Sequence, residues 1–461
     1  MKLNKKLFSI LPVAALAIAL PATFVSCAQN PNKTNSNLDS SKITDLLSQK
    51  EVTETQKIVE NKIKQASLET QKVVLITADG NIDDKSFNQQ VYESQKTLKD
   101  FVDKAYKSQN KEAENQHKLD NYINSAVKDL EQNYKVALDR GYTTWILTGF
   151  QQGNEIENFL NDENNLRRFK ENKVKIIGVD WAPNANSKIP QGSLISLLFK
   201  TEEAGWQAGY ASADFLGTKY ANNEAKRAIS AFGGGDFAGV TDFLNGFFEG
   251  IRAWNSEAEN ANKKVKIVSE NLVLDTGFIP NAEKNEVVSN VVETGKSTIS
   301  LPVAGPFTGV VVDVLRKDTS DEDRFIVGVD TDQSLSFTND SKRFFTSIVK
   351  NIAFPVYQIL LALLTKDEES VILKEGNDKF LGSNPKNLVL KRGLSAKFVN
   401  ITKSRVKESI KTQADTSIQK AIDKWNANPN SKKIEKEMTN GDLEHLKSII
   451  QKANRGEAIT S

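Results

Sequence analysis

Cysteine and histidine are nearly missing from this chain. Its 461 residues hold one cysteine, Cys27, and two histidines, His117 and His445. A lone cysteine excludes an intramolecular disulfide and any zinc cluster built on cysteines. Two histidines leave little material for a His-rich metal site or a Ser-His-Asp triad, and no HExxH, CxxC or GxSxG pattern occurs. Long apolar runs are equally scarce, with one near spanning length at Leu7 to Val25. Charge of one sign is lacking too. Against 61 Lys+Arg stand 59 Asp+Glu, a formal +2, without the concentrated basic surplus of a nucleic-acid binder. What remains is 39% hydrophobic residues over a length that suits one large or two to three ordinary domains.

The N-terminus addresses the chain. Lys2, Lys5 and Lys6 precede the apolar stretch, which ends at Ser26-Cys27 and a polar run. A positive start, an apolar middle and a small residue before the cut describe a secretory signal. Phe24-Val25-Ser26-Cys27 resembles a bacterial lipoprotein lipobox, with Phe24 where leucine is usual. That resemblance implies cleavage before Cys27 and diacylation of its thiol, with palmitate-type chains. Two chains anchor stably where one is marginal. The alternative is an uncleaved anchor helix, which Pro12 and Pro21 would interrupt. Both readings put the rest of the chain outside the cytoplasmic membrane, on the extracellular face. Losing residues 1–26 removes three lysines and no acid, which takes the formal charge from +2 to −1. Residues 27–71 read as a polar tether, with one candidate helix around Ile43 to Ser67.

From Val73 onward, short β-branched runs alternate with amphipathic stretches. Candidate strands are Val73–Ala78, Thr144–Thr148, Val174–Val179, Ser193–Phe199, Arg227–Phe232, Val265–Leu274, Leu301–Ala304, Phe325–Val329 and Phe345–Val349. Helices are expected at Asn88–Lys107, Asp120–Arg140, Glu202–Gly217 and Gly239–Asn255. Uninterrupted apolar strands separated by helices predict an α/β fold of parallel sheets covered on both faces. The length of the alternation predicts two doubly wound, Rossmann-like lobes joined by a hinge. Residues 72–198 and 345–401 are assigned to lobe 1, residues 199–344 to lobe 2, and residues 402–461 to an appended, solvated helical extension. Ligands in such sheets bind at the carboxyl ends of strands. There the chain places Asp83, Asp84, Asp180, Gly305, Asp330, Asp332 and Lys350. For any single aspartate a helix cap or a turn is the commoner role, but acids recurring at several strand ends suggest a polar ligand site. Phe87 and Phe278 follow strands of different lobes and could sandwich a planar ring. Phe232-Gly233-Gly234-Gly235-Asp236 lacks both the Walker ending and the spaced dinucleotide glycines, so it reads as a tight turn rather than a phosphate loop.

Six segments carry a more specific resemblance: Ile82–Gln89 (IDDKSFNQ), Ile176–Asp180 (IIGVD), Phe232–Gly250, Pro302–Gly309 (PVAGPFTG), Ile326–Gln333 (IVGVDTDQ) and Thr346–Asn351 (TSIVKN). In type and order they resemble the basic membrane protein (BMP) lipoproteins, nucleoside-binding receptors of ABC importers. The resemblance covers roughly residues 72–400 and implies a type I periplasmic-binding-protein fold. It further implies that Phe87 and Phe278 stack on the two faces of a purine and that Asp180 reads the base edge. Asp330 and Lys350 would hold the ribose hydroxyls, with a backbone contact from Gly305. Asp84, Ser86 and Asn88 would form the signature loop, with Asn88 reaching the base. The implied partners are a nucleoside, a permease and, through the lipid, the membrane; no nucleic acid, cofactor, metal or enzymatic step is expected.

Two departures stand out. Residues 108–128 read as helix or loop where the family has a second strand, and Trp181 brings bulk next to Asp180. The residues alone also leave other readings open. A nucleoside hydrolase could use Asp83, Asp84, Asp330 and Asp332 with calcium. An adhesin or antigen could retain the fold, and a sugar or autoinducer receptor could share it.

Overall fold

A computed structural model describes residues 49–65, 68–78, 80–83, 87–111, 117–318, 323–427 and 442–458. Cys27, Asp84 and Ser86 lie outside the described residues. Among the described residues fourteen strands follow one another: β1 (Lys72–Thr77), β2 (Lys118–Ile123), β3 (Thr144–Thr148), β4 (Lys175–Val179), β5 (Leu194–Phe199), β6 (Ala228–Gly233), β7 (Lys266–Ile267), β8 (Ile299–Val303), β9 (Phe325–Asp330), β10 (Phe344–Lys350), β11 (Lys374–Glu375), β12 (Asp378–Lys379), β13 (Leu388–Arg392) and β14 (Val399–Ile401). β11 and β12 form a small hairpin; the others form two six-stranded sheets. The first runs β13-β5-β4-β3-β1-β2 and is wholly parallel. The second runs β14-β10-β9-β8-β6-β7, with β14 alone antiparallel. Helices flank both sheets, which is why β1, β3 and β6 are apolar or buried along nearly their whole length.

The chain passes between sheets after β5, after β10 and after β13. The expectation that residues 345–401 belong wholly to lobe 1 is therefore corrected. β10 pairs parallel with β9, Ile348 opposite Val329, and β14 pairs with β10. The Ala353–Thr365 helix, which packs on the Phe87–Ser108 helix, and β13, with the β11 hairpin against it, return to the first sheet. Backbone hydrogen bonds tie the crossings to one another. Lys200 N donates to Arg392 O (2.9 Å), Asn351 N donates to Phe398 O (2.7 Å), and the Phe199 and Phe398 rings lie 5.7 Å apart.

Three further expectations change. The helix expected over Asp120–Arg140 is a helix only at Leu130–Asp139; before it comes β2, the edge strand of sheet one. Its sequence KLDNYI is too polar to announce a strand, and tertiary pairing decides: the Gln95 amide donates to Leu119 O (2.8 Å) and Asn121 O (3.2 Å). Of Val265–Leu274 only Lys266–Ile267 joins a ladder. The extension is not a solvated appendage. Its Glu408–Ala427 helix packs on the Thr201–Lys219 helix, and its Leu443–Arg455 helix packs on the Ala238–Ser256 helix and β7. Thr201 to Gly217 is consequently buried on every side. The Thr201–Lys219 and Ala238–Ser256 helices meet glycine to backbone: a Cβ on Gly209 would overlap the Phe247 carbonyl, and one on Gly246 the Glu202 carbonyl.

Candidate functional site

The repeated segments IIGVD and IVGVD form β4 and β9, and each ends on an aspartate with left-handed backbone: Asp180 at φ 68° and Asp330 at φ 64°. That region is uncommon outside glycine, and holding it costs of order 1–3 kcal/mol, so two matched outliers at strand ends mark a constructed place. Between them lies Lys350, the last residue of β10. Its Nζ is 2.6 Å from Asp180 Oδ2 and 3.4 Å from Asp330 Oδ1. Asp180 comes from the first sheet, Asp330 and Lys350 from the second, so the ammonium bridges the lobes. The same Nζ stands 5.9 Å from the Phe87 ring centroid and 5.1 Å from that of Phe243. Burial disfavours the ammonium, yet the Asp180 and Asp330 carboxylates outweigh it and hold Lys350 above its usual range. Burial raises Asp330; Lys350 opposes that and Asp180 adds to it.

The other expected residues are distributed as follows. Phe87 opens its helix and packs partly buried against the large core. Asn88 is buried, and its Oδ1 accepts from Thr148 Oγ1 at 2.6 Å. Gly305, at φ 38°, follows β8 and has open space where a side chain would stand. The ring neighbours of Phe278 are Phe237 at 6.1 Å and Phe150 at 5.9 Å. Asp332 caps Ser334 and lies 3.3 Å from Arg405. Among the described residues no group of three or more His, Cys, Asp or Glu is placed to hold a metal. Trp181 is buried in the core beneath sheet one, where its indole donates to Leu147 O (3.1 Å) and packs on Gly153 and Gly178. The bare Cα positions of Gly153 and Gly178 make room for the indole.

Several participants escaped the sequence reading. Gln90 stitches the lobes, its Nε2 donating to Asp330 O (3.4 Å) and its Oε1 accepting from Ile352 N (3.1 Å). Beside the hinge, Lys391 of β13 reaches Asp242 Oδ2 at 3.1 Å and Glu202 Oε1 at 3.8 Å, both on second-lobe helices. Nothing in a single sequence pairs these residues, which lie about 150 and 190 positions from Lys391. Burial, with the Asp242 carboxylate adding, pushes Glu202 up to about 7 from its ordinary 4.5, and Lys391 only partly offsets this. The folded chain thus keeps a proton that the unfolded chain releases between these values. Stability contributed by this group falls as pH rises from 4.5 to 7. Glu202→Gln is expected to flatten that slope and to raise stability at pH 8 by roughly 2–3 kcal/mol, read from urea unfolding at pH 5 and pH 8.

Two parallel-dominated sheets with three crossings, and polar side chains converging from both at the strand ends, define a periplasmic-binding-protein-like fold. A solved ABC transporter solute-binding protein from Aeropyrum pernix K1 shares this fold at 15% identity and TM-score 0.53, covering 83% of this chain and 97% of that one. A second from Conexibacter woesei DSM 14684 aligns at 13% identity and TM-score 0.46, over 78% and 99%. A sugar-binding protein of a sugar ABC transporter from Bacillus halodurans aligns at 14% and 0.44, over 72% and 96%. At such identities the likeness speaks to the fold alone, and the Aeropyrum protein carries it. The chain belongs to the Bmp family, described as PnrA-like ABC transporter substrate-binding proteins, whose sequence model matches residues 71–439. No curated protein matches it.

Proposed function

We propose that this substrate-binding protein captures a nucleoside, with a purine base, between its lobes and passes it to the permease of an ABC importer. One observation carries the reading: Lys350 joins Asp180 of one lobe to Asp330 of the other, beside the Phe87 ring. A nucleoside offers a flat apolar ring, a polar base edge and a diol. Phe87 and Phe278 supply aromatic faces, and Asp180 and Asn88 supply acceptors for the base edge. Asp330 accepts from the ribose hydroxyls while Lys350 donates, and the space beside Gly305 lets the sugar approach backbone. Asp84 and Ser86 of the signature loop complete the set. Because contacts come from both lobes, ligand favours the closed arrangement over the open one. An anionic phosphate would meet the carboxylates of Asp180 and Asp330, which favours nucleosides over nucleotides. Diacylated Cys27 would hold the protein to the extracellular face of the membrane; of the expected 27–71 tether, the Gln49–Lys64 helix instead packs on the Phe87–Ser108 helix with Val59 and Ile63 buried. Among the described residues no helix is long and apolar enough to cross a membrane. Asp330→Ala is expected to weaken nucleoside binding ~10- to 150-fold, the equivalent of about 1.5–3 kcal/mol for a charged hydrogen-bond partner. Titration calorimetry of variant against parent checks this; equal affinities would remove Asp330 from the site.

A further inference from the structure

We infer that Phe150 is the latch of the closed cleft, a positioning residue that holds the lobes together by seating its ring on two phenylalanines of the opposite lobe. Phe150 stands on the first lobe, in the turn between β3 and the Gln152–Asn161 helix. It remains 44% exposed, which is unusual for so large an apolar side chain among the described residues. Its ring partners both come from the second lobe. The Phe150 and Phe237 centroids are 5.0 Å apart at 41°, and Phe150 and Phe278 are 5.9 Å apart at 51°. Phe237 and Phe278 also touch, at 6.1 Å and 57°, so the three rings close a triangle across the cleft. These are tilted arrangements within the range where aromatic pairs attract beyond their buried area.

Both sides are prepared for this contact. Before Phe150, Gly149 takes φ 101°, donates to Val179 O (3.1 Å) and accepts from Gln152 N (3.1 Å), which fixes the turn that presents the ring. Opposite it, the glycine run after β6 is a seat. A Cβ on Gly235 would come within 2.6 Å of Phe237 Cε1, and one on Gly234 within 2.6 Å of Phe278 Cε1. The run reads in sequence as a tight turn, and its bareness also leaves room for two rings. Opening the cleft would strip Phe150 of both partners. The contact therefore belongs to the closed arrangement and acts on escape of ligand rather than entry. It also braces Phe278, which the proposed function uses as a stacking face, and to that extent the inference rests on that reading.

The test is stopped-flow kinetics of the full chain with adenosine, guanosine and inosine as probes. Phe150→Ala should speed dissociation about tenfold while changing the association rate less than twofold and leaving the unfolding midpoint in place. Phe150→Tyr should behave as the parent. An unchanged dissociation rate in Phe150→Ala, or equal effects on both rates, overturns the latch. If the parent binds none of the probes, the nucleoside reading fails by itself and the latch is decided without ligand. The pair Phe150→Cys and Phe237→Cys should then be joined within one molecule by a short bismaleimide, seen as a cross-linked peptide by mass spectrometry. Absence of that peptide overturns it.

Discussion

Lys350→Met should destabilise the folded protein by about 3–5 kcal/mol at pH 8, the cost of leaving buried charge uncompensated. Asp180 and Asp330 would still converge on the vacated place, held there by strand-end backbone at φ 68° and 64°, and they could not both stay ionised without the ammonium. Direction with pH separates this from a packing defect. Asp330 already titrates above its ordinary value, and removing Lys350 raises it further. A carboxyl raised in the folded state penalises folding above its folded pKa, and the penalty fades as pH falls through it. The deficit should accordingly shrink between pH 8 and pH 4.5 in urea unfolding. Lys350 itself is raised, so its own contribution in the parent is intact across this range and is lost only at strongly alkaline pH. A deficit equal at both pH values would place the damage in packing against Phe87 and Phe243 instead of in charge.

Trp425→Ala should cost ~3–5 kcal/mol, the range for deleting a large buried ring, without changing ligand affinity. Trp425 lies on the Glu408–Ala427 helix, 5.4 Å from Trp206, which in turn stacks on Tyr210 at 5.2 Å and 20°. Polar contacts surround this apolar contact. Ser417 Oγ and Lys420 Nζ donate to Asp214 (2.7 and 2.6 Å), and Tyr210 and Lys424 both donate to Glu257 Oε1 (2.9 Å each). The second tail helix is fastened through Asn454, whose amide bonds both the N–H and the C=O of Ile267 in the edge strand β7 (2.8 and 2.9 Å). It covers a sheet edge that would otherwise present unpaired backbone. A thermal midpoint lowered by several degrees, with an unaltered nucleoside titration, is the expected pair of results. An unmoved midpoint would return the tail to the status of an appendage.

That tail also shows where a single sequence stops being informative. Ile410, Ala414, Ile418, Ala421 and Trp425 recur at helical spacing and are all buried, a signal that was available. The 12 basic and 8 acidic residues of 402–461 concealed it, because the lysines looked solvated until Asp214 and Glu257 were seen opposite them. The strands of both sheets were legible for the opposite reason: runs such as Thr144–Thr148 are apolar enough to admit no other reading. Strand-end Asp180, Asp330 and Lys350 were legible because parallel sheets bring their carboxyl ends together, and the structure unites these three. The lobe of β10 was not legible, since pairing with β9 depends on the path of the backbone and not on residue type. Phe150 and Phe237 were missed on similar grounds. Each reads as an ordinary loop aromatic, and only the approach of the lobes gives it a partner.

Calorimetric titration of the protein, with the Gln49–Lys64 helix retained, against purine and pyrimidine nucleosides tests the central claim most directly. Nucleoside capture between the lobes predicts saturable heat with at least one purine nucleoside at one site per chain, abolished or strongly weakened in Lys350→Met and weakened in Asp330→Ala. No heat from any nucleoside up to millimolar concentration, in protein first stripped of retained small molecules by unfolding and refolding, would contradict it.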